Sequence, residues 1–152
     1  MVLEQVRQNE SAFVCDRIGS VETLGAVRLA VMEQFLQDYP VGLATDRYRY
    51  GLLPELPLTD RHFDLALCSH VLFLYSEHLS LDLHLQSLQA MMRVASEARI
   101  FPLLTSAGAR SPFLEPAIAA LHQAGFETAI EPVDSEFQRG GHEMLRITRP
   151  KP

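Results

Sequence analysis

Between residues 63 and 148 the apolar positions fall into two kinds of pattern. Phe63-Asp64-Leu65-Ala66-Leu67-Cys68 is a short apolar run without period-two alternation, preceded by the loop-like Leu56-Pro57-Leu58-Thr59-Asp60-Arg61-His62. Such a run predicts a strand buried on both faces. Leu81, Leu85, Leu88, Met92 and Ala95 recur at helical spacing behind Ser80, which predicts a capped helix ending near Ala95. A second apolar strand is predicted over Ala98–Leu104, with Pro102 restricting where it pairs. Thr105–Arg110 reads as a polar loop, and Ser111-Pro112 as a helix start. Leu114, Ile118 and Leu121 supply that helix's buried face, and Gly125 its left-handed cap. A third strand over 126–133 and a last one over Glu143–Thr148 are joined by a short glycine-bearing link, so they should run antiparallel.

Upstream the spacing is helical. Val2, Val6, Phe13, Val14 and Ile18 form a loose stripe over 2–18, ended by Gly19. Ser20 caps a second helix bearing Leu24, Val27, Val31, Phe35 and Tyr39 on one face, with Pro40 as its stop. Asp46-Arg47-Tyr48-Arg49-Tyr50 alternates and predicts a short strand. Together these describe an α/β layered sheet with an antiparallel edge. The reading is one domain over 1–152, a helical segment (1–40) leading into a partial sheet (46–149).

The 152 residues suffice for one domain with a real core. No apolar run approaches membrane-spanning length and no secretory signal pattern is present, so the expected setting is cytoplasmic, away from membranes. A net charge of −6, with scattered arginines, argues against nucleic acid as a partner. Cys15 and Cys68 read as reduced, inert thiols.

Open α/β sheets bind ligands at the carboxyl ends of their parallel strands, which directs attention to Cys68–Tyr75. Ser69 and His70 stand at that mouth, where His70 reads either as a base or cofactor contact or as a partly exposed residue without a role. Tyr75 reads as core or as a cover over a ligand. No two histidines have the spacing of a zinc-binding pair, so no metal site is expected. Ser69 lacks the Gly-x-Ser-x-Gly context of a hydrolase elbow. Glu77, Asp82 and Glu115 read as solvated acids at helix starts. Phe137-Gln138-Arg139-Gly140-Gly141 reads equally as an acidic-ligand contact or as a turn.

Leu56-Pro57-Leu58-Thr59-Asp60-x-x-Phe63-Asp64-Leu65 resembles the segment leading into the fourth strand of class I S-adenosylmethionine-dependent methyltransferases. The closing order of helix, strand and antiparallel last strand, with Leu121-x-x-Ala124-Gly125-Phe126 between, is also similar to that family's carboxyl half. Leu72-Phe73-Leu74-Tyr75 and Glu136–Gly141 look like an uncharacterised bacterial subgroup of methyltransferase-like proteins. The resemblance implies a truncated Rossmann-like sheet with helices on both faces and an antiparallel carboxyl-terminal strand, preceded by two helices. It implies S-adenosylmethionine as cofactor, with Leu52, Leu53, Ser69 and His70 as contacts by position, and a small-molecule or protein methyl acceptor. It names no catalytic residue.

The departures are specific. The family's glycine-rich turn after the first strand is absent, since none of the eight glycines forms that pattern. Where relatives carry an acid beside the adenine, this chain reads Gly51-Leu52-Leu53. The expectation is therefore a methyltransferase-like protein that is incomplete and not competent alone; the alternative is a non-catalytic domain acting through its sheet edge. In the family's sheet the first strand pairs with the fourth, so Asp64–Cys68 becomes an apolar open edge. It should be covered by the 46–50 strand, by an identical subunit in a homodimer, or by a partner chain.

Overall fold

The computed structural model describes residues 2–8, 12–14 and 19–150. The chain forms a mixed α/β structure divided into two compact units: Met1–Tyr50 with Phe137–Arg139, and Gly51–Glu136 with Gly140–Pro152.

In the first unit, helix α1 covers Val2–Gln8 and helix α2 covers Val21–Ala44. The helix expected over 2–18 is thus shorter. Phe13 instead bridges Gln138, and the Val14 amide donates to the Phe137 carbonyl at 2.8 Å, so this stretch is extended; Ile18 and Cys15 lie outside the described residues. Ser20 caps α2 as expected, its Oγ accepting from the Thr23 amide at 3.1 Å. Pro40 does not stop the helix. It lies inside α2, which ends where the Thr45 amide and hydroxyl both donate to the Val41 carbonyl.

Val6, Val21 and Leu24 form a small core with Phe13 and Phe137 packed against it. The rest of the predicted apolar face, Val27, Val31, Phe35 and Tyr39, is exposed. Residues 46–50 form no strand. Arg47 makes a two-pronged contact with Asp38 at 2.6 and 2.7 Å, and the Tyr48 hydroxyl donates to the same carboxylate at 2.6 Å. The Tyr48 ring lies against Phe35 and Tyr39, so side-chain contacts with α2 replace strand pairing.

The second unit is built on a four-stranded sheet in the order β1-β2-β4-β3. Here β1 is Phe63–Ser69, β2 is Ala95–Phe101, β3 is Glu127–Pro132 and β4 is Glu143–Thr148. Strands β1 and β2 are parallel and joined through helix α3, Leu81–Val94. Strand β4 lies antiparallel between β2 and β3. Ser80 caps α3 as expected, and β2 follows the helix directly, three residues earlier than its sequence pattern suggested.

Helix α4, Leu114–Gln123, begins later than Ser111-Pro112 predicts. The Ser111 hydroxyl is held at 2.7 Å by that of Ser76 and accepts from the Phe113 amide at 3.2 Å, which keeps this stretch a turn. At the other end Gly125 has φ +83°, its amide donates to His122 and that of Phe126 to Leu121, a Schellman closure.

The core lies on one face of the sheet. Leu88, Met91 and Met92 of α3 and Leu114, Ala117 and Leu121 of α4 pack on Cys68, Ala98, Ile100, Leu145 and Ile147. Because side chains alternate across a strand, the intervening positions share the opposite face. On β2, β4 and β3 these positions carry charge: Glu97 pairs with Arg99 at 2.6 Å and with Arg146 at 3.1 Å, and Arg146 reaches Glu131 at 2.9 Å. On β1 they carry Phe63, Leu65 and Leu67, all exposed. The expectation of a strand buried on both faces is overturned at β1, because α3 and α4 pack on the Cys68 face and leave Phe63, Leu65 and Leu67 exposed on the other.

Candidate functional site

The carboxyl ends of the parallel pair β1 and β2 bring Ser69, His70 and Phe101 together. The register sets Ser69 beside Phe101, and the His70 amide donates to the Phe101 carbonyl at 2.7 Å. His70 has φ +58°, an uncommon backbone region for a residue with a β-carbon. Its ring stands edge-on to Phe101, centroids 5.4 Å apart, and its Nδ1 lies 2.7 Å from Ser69 Oγ. Which of the two atoms donates depends on the imidazole tautomer.

A groove of about 460 Å3 runs from Ser69 along β1. Leu53 reaches it from the preceding loop, so the structure brings together two of the four expected cofactor contacts, Leu53 and Ser69. His70 adjoins Ser69 without lining the groove. Leu52 is also outside it, pointing to solvent from an isolated bridge with Glu55. The wall formed by Leu56 and Leu58 is bolted to α3 by Arg93, whose guanidinium donates to the Leu56 carbonyl (2.8 Å), the Leu58 carbonyl (2.7 Å) and the Asp60 carboxylate (2.7 Å). Among the described residues no charged side chain lines the groove, so it suits apolar groups and backbone. Cys68 lines it too, but burial pushes its thiol pKa up, which leaves the sulfur protonated and a poor nucleophile.

The remaining expected residues fall elsewhere. Tyr75 is not core: it sits half-exposed in a short 3-10 turn, its ring near His78. The Phe137–Arg139 part of the glycine-bearing link belongs to the first unit. Phe137 packs on Phe13 with centroids 5.0 Å apart, Arg28 lies over its ring, and the Arg139 amide donates to the Ala12 carbonyl. Among the described residues no three His, Cys, Asp or Glu side chains gather as a metal site would require, and no helix is long and apolar enough to cross a membrane.

Sequence reasoning missed His84, which is fully buried behind the 3-10 turn, its ring against Phe73 and Phe113. Its signal was its place between Leu81 and Leu88 on the buried side of α3.

The chain is 30% identical over 130 residues to an uncharacterised protein of Methanocaldococcus jannaschii. That match covers 86% of this chain and 56% of the archaeal protein, so the chain spans about half the length of the relative it matches. No protein-family model matches the chain, and neither does any solved structure.

Proposed function

We propose that this chain carries the carboxyl-side half of a class I S-adenosylmethionine-dependent methyltransferase-like domain and does not complete a cofactor site with its own residues. The observation that carries this reading is the sheet: a parallel pair joined through a helix, then a helix, a strand and an antiparallel last strand. Its open end at β1 is where the family's first strand would pair, and the chain lacks the glycine-rich turn that would follow that strand.

The cofactor would supply an activated methyl group. Of this chain's residues, Leu53 would offer an apolar contact, Ser69 and His70 polar ones at the strand end, and Leu52 would have to turn inward from its exposed position. Methyl transfer relies on proximity and in-line geometry, which explains why no catalytic residue stands out. The acceptor is a small molecule or protein in the cytoplasm, and not nucleic acid, given the acidic charge.

Calorimetric titration with S-adenosylhomocysteine, run on this chain and on the full-length archaeal relative, tests both clauses. The expected result is micromolar binding by the relative, about −8 kcal/mol, and none by this chain. Failure of both to bind overturns the methyltransferase reading. Binding by this chain alone overturns the incompleteness.

A second reading, a non-catalytic domain working through its sheet edge, is favoured by the apolar, uncharged character of the groove.

A further inference from the structure

We propose that the free edge of β1 pairs with the same edge of a second copy of this chain, antiparallel about Ala66, so that the two four-stranded sheets become continuous. The inference rests on the edge itself and stands whether or not the domain is methyltransferase-like.

The shape of the groove specifies its occupant. Leu65 and Leu67 project to one face of β1 and Ala66 and Cys68 to the other, yet all four line the same groove. Met91 and Val94 of α3, the helix that packs on the Cys68 face, line it together with Leu65 and Leu67 of the other face, so the channel runs beside the strand. What fits it is another extended segment, exchanging backbone hydrogen bonds with β1 and sending apolar side chains to both faces. The 46–50 stretch, which the sequence offered for this role, is not a strand.

Apart from the single charge of Asp64, the edge lacks the features that deter pairing. Residues 63–69 contain no lysine, proline or bulge, and Leu67 is 70% exposed.

The strand is complementary to itself in apolar pattern, and its charge does not oppose the pairing. With Ala66 on the two-fold axis, each Leu65 comes opposite the Leu67 of the second copy, an apolar cross-strand pair on the open face. Asp64 is the strand's one charged residue and comes opposite a cysteine, so no like charges meet. An isologous contact of this kind closes on two copies and does not propagate. Each chain carries a net charge of −6, so association should strengthen as salt screens the long-range repulsion.

Sedimentation of the full chain across the micromolar range is the test. The expected result is a reversible shift from one 17.1 kDa chain towards two, favoured by salt, with amide exchange across 64–68 slowing as concentration rises. Leu67→Lys should weaken the dimer roughly tenfold or more by setting a charge opposite the apolar Leu65 of the second copy. Melted at concentrations low enough for both proteins to be single chains, it should match the parent, because the side chain is exposed in the single chain. Met32→Lys, on the exposed face of α2, should leave the dimer intact. A single-chain mass throughout overturns the proposal, as does a dimer that survives Leu67→Lys and is dissolved by Met32→Lys. Neither result bears on the S-adenosylhomocysteine titration, so the two readings fail separately.

Discussion

His84 and Leu72 are joined inside the second unit: the imidazole Nε2 lies 3.0 Å from the Leu72 carbonyl oxygen, while Nδ1 lies 2.8 Å from that of Ser80. One buried side chain thus connects the first turn of α3 to the loop that leaves β1. Carbonyl oxygens only accept, so the ring bonds to them through whichever nitrogen carries the proton, at one oxygen or the other according to its tautomer. His84→Ala would open a cavity and strip a donor from a buried carbonyl, costing roughly 3 kcal/mol or more in urea unfolding. His84→Gln, which retains a donor, should recover part of that loss; equal losses would show that packing alone matters.

Gly42 sits under the Tyr48 ring, where an added β-carbon would come 2.0 Å from Tyr48 Cδ2. Gly42→Ala gains up to about 1 kcal/mol of helix propensity but must push the ring aside, at about 1–3 kcal/mol. The expected net is a loss of stability, accompanied by loss of the Tyr48–Asp38 hydrogen bond. Tyr48→Ala combined with Gly42→Ala removes the clash, and in that background the glycine replacement should turn neutral or favourable.

Asp38 carries a pH signature. The hydrogen bond from Arg47, then that from Tyr48, lowers its pKa from 3.8 to about 2. A depressed folded-state pKa means that the contribution is complete above the unfolded value and disappears as pH falls through the folded one. The 46–48 turn should therefore hold its place on α2 at pH 5 and come away between about pH 4 and 2. Carboxylate chemical shifts of Asp38 would report the midpoint directly. Arg47→Met should move that midpoint upward, and an unmoved midpoint would refute the assignment.

Gly125 tests backbone conformation in isolation. A β-carbon there meets nothing within 4 Å, so the effect of Gly125→Ala comes from φ +83° alone. The expected cost is about 1–2 kcal/mol, with Gly125→Asn costing less because asparagine tolerates the left-handed region. Denaturant midpoints of the two variants give the comparison.

Local signals were legible where the chain itself completes the environment. The boundaries of β4, the Ser80 cap and the Gly125 closure all depend on near neighbours, and the sequence announces them. Leu65-Ala66-Leu67-Cys68 was correctly read as strand, but its burial depends on what lies beside it, which no pattern within those residues encodes. The start of α4 was misread because Ser76, thirty-five residues earlier, holds Ser111 in a turn. The strand expected at 46–50 failed for a like reason, as Asp38 competes for Arg47 and Tyr48. At the candidate site, the sequence placed Ser69 and His70 at the strand end and offered Leu52 and Leu53 by resemblance, and the fold brings Leu53 and Ser69 to one groove. Arg93 escaped notice because a helix-end arginine reads as solvated until its carbonyl acceptors come into view.

The contact of Phe13 with Phe137 has a consequence for synthesis. One wall of the small core around Val6, Val21 and Leu24 comes from Phe137, a residue made long after them. During translation the helices emerge first, yet that core cannot close until the ribosome has passed Arg139. Long-range closure of this sort is slow, and until it happens the leading helices offer their apolar side chains to whatever chaperone stands at the exit tunnel.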